Sequence, residues 1–255
     1  MSSFRAAVWV ELRKACASRV LLTTTFLVVA GIALLAGVLV AAARAGNAQI
    51  LAQLGPLADA GGWTLLTGVT AQITAAGALL AFGVALSWTF GREFTDHAIT
   101  GLFALPVTRS IIALAKLLIH LLLTVAVALA LTVLVLAAGL LLDLGPIDAD
   151  VQRQLARQAM LTLLTGLIAT PAGWAATLGR GPLLGIATTL VILVAAQVVA
   201  IAVPGAAAWL PMSSPALWAL QPGSVHAGQL TLVAVLPIAF AVLTAVTWRR
   251  LQLDR

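Results

Sequence analysis

The chain has 255 residues, 62% of them hydrophobic and only 9% charged, with a formal net charge of +6 and a mean hydropathy of +1.12. A soluble globular domain carries about 25% charged and roughly 45–50% apolar residues, so that class is excluded, and the same hydropathy excludes disorder. Apolar blocks longer than about 20 residues exclude a barrel of short alternating strands, leaving an all-α, polytopic membrane protein.

In chain order, residues 4–18 come first. At 100° per residue Phe4, Val8, Leu12 and Cys16 cluster against Glu11, Lys14 and Ser18, with Arg5 and Val10 breaking the pattern, which predicts an amino-terminal interfacial helix. Cys16, the sole cysteine, permits no intrachain disulfide. Stretches free of charge then predict six spanning helices, at residues 20–43, 63–90, 111–142 (with Lys116 near its start), 155–178, 183–203 and 229–248, read as one transmembrane domain covering 1–255. The first apolar stretch, at 24 residues, is longer than the 7–15 of a signal peptide and is expected to stay attached.

After the second span, residues 94–104 read as a short surface helix. Phe94, Ala98, Leu102 and Leu105 fall on one face, Glu93, Asp96, His97 and Thr100 on the other, and Pro106 stops it. Phe103 projects about 180° from Phe94 and so points toward the aqueous side. Between the fifth and sixth spans, Pro204, Pro211, Pro215 and Pro222 forbid a regular helix. That segment, with Trp209 and Trp218, is expected either to dip into the bilayer as a broken hairpin capping the pathway or to rest at the interface.

With the amino terminus inside, eleven cations fall inside and three (Arg44, Arg153, Arg157) outside, a strong positive-inside bias. Trp63, Trp88, Trp174 and Trp248 sit near span ends, as an interfacial belt would. Small residues at helical spacing, Gly77, Ala81 and Ala85 in the second span and Gly181 with Gly185 at the fifth, predict close helix packing or a dimer seam. His120 is expected to hydrogen-bond a neighbour within its span, with a proton relay as the alternative; Gln72 and Gln197 either join helices or line a polar cavity.

Neither lysine, Lys14 or Lys116, follows a glycine, so no phosphate-binding loop is present; no serine-hydrolase elbow or zinc-protease pair occurs either. None of the eight acids falls within a predicted span, which disfavours an ion-coupled carrier. No catalytic, cofactor-binding or metal-ligating residue is therefore assigned, and no basic cluster interleaved with aromatics suggests nucleic acid.

The stretch from Trp88 to Arg109 resembles the signature of type-2 ATP-binding-cassette exporter permeases. The matching elements are the basic–acidic pair Arg92-Glu93, the short helix, and Leu102-Phe103-Ala104-Leu105-Pro106-Val107-Thr108-Arg109 leading into the third span. Thr95-Asp96-His97 departs from the glycine often found there. The resemblance implies a permease that dimerises with a second copy in the plasma (inner) membrane, with both termini cytoplasmic. It also implies two copies of a separate cytoplasmic ATPase carrying the ATP and Mg, and export by alternating access. Coupling to that ATPase is assigned to Glu93, Asp96, His97, Phe103 and Arg109. Phe103 would enter a groove on the partner, with Asp96 and His97 at its rim; Glu93 would complement the helix start and pair with Arg92 or Arg109. Gln72, Gln197, Trp209 and Trp218 are assigned to the pathway or its gate. An ion-coupled carrier or channel is the alternative, and an intramembrane enzyme ranks behind it.

Overall fold

A computed structural model describes residues 3–96, 98–103, 107–221 and 223–252. Among these the chain is helical, with no strands and six helices long and apolar enough to cross a membrane. Helix α1 (Ser3–Ala17) lies before the first spanning helix α2 (Arg19–Arg44); α3 (Ala48–Leu54) leads to α4 (Gly62–Thr95). Then come the short α5 (Ile99–Phe103), α6 (Arg109–Leu141), α7 (Ala149–Leu178) and α8 (Pro182–Ala202). The short α9 (Pro204–Ala207) and α10 (Ser214–Leu220) precede the last spanning helix, α11 (Ala227–Arg250).

Local chemistry sets several boundaries. Ser18 leaves helical angles and its hydroxyl accepts from the Leu21 N–H, so α1 and α2 are separate rods rather than one. Asn47 and Asp148 cap α3 and α7 in the same way. Pro171 cannot donate a backbone hydrogen bond, and α7 breaks at Ala169–Thr170 before resuming. Single wide turns interrupt α2 at Leu27–Gly31 and α4 at Thr74–Ala78.

The spanning helices are unequal. In α7 and α4 the most apolar window is 67% and 56% buried, whereas in α8 and α11 it is 11%. So α4 and α7 form the centre, and α8 and α11 turn most of their apolar surface outward. We call the end carrying α1 and α5 basal and the other distal. A basal apolar cluster surrounds Trp248, which is fully buried, meets Phe90 and Phe94 edge-on, and donates its indole N–H to Thr177 Oγ1 at 3.1 Å.

Two sequence expectations are corrected here. Trp63 and Trp248 lie at helix ends but inside the protein: Trp63 donates to the Gly145 carbonyl at 3.1 Å and fills the space over Gly139, and Trp174 donates to Thr247. They join helices instead of forming a lipid belt. The small residues also divide. A Cβ on Gly185 would stand 2.3 Å from Ser87 Oγ, and one on Gly91 2.4 Å from the Pro182 nitrogen, so α4 and α8 touch backbone to backbone. Gly185 thus serves packing within the chain, while Gly77 has only a side chain of its own helix nearby.

Candidate functional site

The basal end holds a group of buried charges contributed by three elements. Helix α1 packs along α6 and turns Ala7 and Glu11 inward, leaving Phe4, Trp9 and Leu12 outward. The last full turn of α4 brings Glu93, and the second turn of α6 brings Lys116, which is completely buried. Lys116 Nζ donates to Glu11 Oε2 at 2.8 Å and to Glu93 Oε1 at 2.6 Å, with the Thr89 carbonyl at 3.3 Å. Lys14 Nζ closes the ring, donating to Glu11 Oε1 at 3.0 Å and Glu93 Oε1 at 2.9 Å.

Two carboxylates and two ammonium groups cancel, which is the condition for holding charges out of water. Burial alone would lower the pKa of Lys14, but the carboxylates of Glu11 and Glu93 outweigh it and hold it above the ordinary lysine range. The arrangement fastens α1, α4 and α6 to one another beside α5. An apolar cavity of about 190 Å³ lies between α1 and that segment, lined by Ala6, Val10, Leu102 and Ile112 among others.

The residues assigned to coupling from sequence separate. Glu93 is not at a helix start; α4 runs on to Thr95, so Glu93 sits in its final turn and pairs with Lys14 and Lys116, not with Arg92 or Arg109. The surface helix does not begin at Phe94. Phe94 packs edge-on against Trp248, which extends α4, and the surface helix is the shorter α5. Asp96 is exposed at the end of α4. Arg109 donates to the Leu251 carbonyl and so holds the carboxyl-terminal end of α11. His97 and residues 104–106 lie outside the described residues, as does the side chain of Phe103.

A second polar region sits toward the distal end, and sequence reasoning did not single it out. Gln158, 2% exposed, donates to Thr74 Oγ1 at 2.9 Å, where α4 makes its wide turn; its Oε1 is buried without a partner. Thr67 donates to Gln154 Oε1 at 2.9 Å, one turn before Gln158 on α7. Thr67, Thr70 and Thr74 on α4, facing Gln154, Gln158, Thr162 and Thr165 on α7, repeat every three or four residues, a polar stripe legible as period. Deeper on α6, His120 donates from Nε2 to the Gly166 carbonyl at 2.9 Å and meets Phe82 edge-on; a carbonyl only accepts, so Nε2 carries the proton.

Of the residues assigned to the pathway, Gln72, Gln197 and Trp209 face outward. Trp218 is half-buried and lies under the Arg157 guanidinium at 5.2 Å. The proline-rich segment folds as α9, against α8, and α10, against the starts of α4 and α7, with Ala207, Ser213 and Ser214 buried. Among the described residues, no group of three His, Cys, Asp or Glu is placed to hold a metal ion.

No curated relative and no solved structure matches the chain. A family profile described as "ABC-2 family transporter protein" matches residues 7–196, a stretch that takes in most of α1, the charge network, α5 and the polar stripe. That match covers most of the 255 residues, and together with six apolar helices it makes the chain a multi-pass membrane permease belonging to the ABC-2 transporter family.

Proposed function

We propose that the chain is the pathway-forming subunit of an exporter driven by a separate cytoplasmic ATPase, working as a homodimer with two ATPase copies. The basal end faces the cytoplasm of the plasma (inner) membrane. Arg5, Arg13, Arg19, Arg92, Arg249 and Arg250 gather there, and positive-inside orientation supports the assignment. ATP and Mg belong to the partner.

The observation that carries this reading is the charge network. It binds α1, α4 and α6 into one body beside the segment holding Asp96, His97 and Phe103, so a push on that segment moves three helices together. Phe103 docks in a groove on the ATPase, Asp96 and His97 make polar contacts at the rim, and Glu93 and Arg109 hold the segment's two ends in place. The outward apolar faces of α8 and α11 support a second copy or lipid as their cover.

The test is affinity purification of the tagged chain from its native membranes, reading co-eluting ATP hydrolysis. We expect hydrolysis to co-elute with the wild type. With Phe103→Ala the retained hydrolysis should fall roughly 30-fold, the effect of losing one aromatic anchor. Equal hydrolysis from a folded Phe103→Ala variant would place the ATPase contact elsewhere, and none from the wild type would favour a carrier or channel.

A further inference from the structure

At the distal end a groove of about 540 Å³ runs between α7 and the start of α11, with Trp218 of α10 at its rim. Its walls are apolar, built from Met160, Leu164 and Leu230, and cations lie only toward the start of α7, at Arg153 and Arg157. The volume lies within the range of small-molecule sites, about 300–1,000 Å³.

The two arginines differ. Arg153 is largely exposed and already pairs with Asp150. Arg157, one turn further along α7, is half-buried and makes no ion pair among the described residues; its guanidinium lies over the face of Trp218. Helix α7 has 30 residues, or about 45 Å. A hydrocarbon core of about 30 Å leaves roughly five residues beyond it at each end. Arg157 therefore stands just inside the headgroup boundary, where an uncompensated cation is costly and marks a ligand path. Arg157 also borders a second cavity, of about 140 Å³, whose lining includes Thr64, Thr67 and Gln154. The guanidinium thus stands between that cavity and the apolar trough.

We propose that this groove is a binding site for an anionic membrane lipid, with its acidic headgroup on Arg157 and an acyl chain along Met160, Leu164 and Leu230. A free anion would satisfy Arg157 but leave the apolar trough wet, and an uncharged lipid would leave the guanidinium unpaired; one molecule with both parts answers both. The inference rests on the bundle's crossing a bilayer and is independent of the ATPase.

The experiment uses the full chain in phosphatidylcholine nanodiscs, titrated with dibrominated phosphatidylglycerol or dibrominated phosphatidylcholine. Quenching of Trp218 is read as the difference between wild type and Trp218→Phe. We expect half-maximal quenching at a roughly fivefold lower mole fraction of the anionic lipid. Arg157→Gln should abolish that preference and Arg157→Lys should keep part of it, while soluble glycerol phosphate should not displace the lipid. Equal quenching by both lipids in the wild type overturns the proposal. So does displacement by glycerol phosphate, which would mark a free-anion site, or an absence of Trp218 quenching by either lipid, the result if another protein chain covers the groove. Should Arg157→Gln fail to reconstitute, the two-lipid comparison in the wild type and in Arg157→Lys decides.

Discussion

The two ends of the bundle handle polarity in opposite ways. At the basal end Glu11, Lys14, Glu93 and Lys116 neutralise one another within 3.0 Å. At the distal end α4 and α7 meet through neutral threonine and glutamine side chains, and an acceptor at Gln158 and a cation at Arg157 are left open. A closed set of charges fixes the relative position of the helices that supply it and has nothing left to offer a ligand. An open set fixes less and keeps capacity to bind. Under the function proposed above, the closed end transmits force and the open end recognises a ligand.

The largest effect should follow from opening the closed set. Lys116→Met leaves two buried carboxylates sharing the one ammonium of Lys14, and we expect a loss of about 3–5 kcal/mol in thermal unfolding of the detergent-solubilised chain. Adding Glu93→Gln should restore part of that, because Glu11 and Lys14 then balance; a double variant worse than the single would mean that Lys116 acts by packing alone. At the neutral end the cost should be much smaller. Gln158→Leu loses one hydrogen bond to Thr74 but also removes the unpartnered Oε1, for a net change of about 1 kcal/mol or less in the same measurement. Equal losses at the two ends would erase the contrast.

The smallest effect concerns pH. Folding raises the pKa of Lys14, so its contribution is fully present below the unfolded lysine value of about 10.4 and is lost as pH climbs through the raised native value. Glu11 and Glu93 face Lys14, and Lys116 shares both carboxylates with it. Cys16 is exposed on the same helix, so a spin label there reads α1 directly. Its mobility should be flat through neutral pH and rise only in the alkaline range. A rise near neutrality would show that α1 is held by something other than this lysine.

The six spanning helices were legible because uncharged runs of about 20 residues have few other fates. The basal site was half legible. The stretch Trp88 to Arg109 stood out, yet the helix phase was misread, because Phe94 belongs to α4 through a ring contact with Trp248, 154 positions later. No local pattern encodes that. Likewise the sequence put Glu11 on the polar side of the amino-terminal helix, paired Glu93 with Arg92 or Arg109 and left Lys116 without a partner near the start of its span, since pairing across 105 and 23 positions leaves no periodic trace. The available signal was arithmetic: two acids and two lysines at the margins of apolar segments, one lysine inside a predicted span. The α4–α7 stripe did have a periodic signal, in threonine spacing, but threonine is common enough in apolar helices for its period to pass unnoticed.

The order of the network along the chain sets an order of assembly. Glu11 and Glu93 both precede Lys116, so when α6 leaves the ribosome carrying an ammonium group destined for the protein interior, its counter-charges have already been synthesised. Both counter-charges that Lys116 needs are therefore present in the nascent chain before the third span is made.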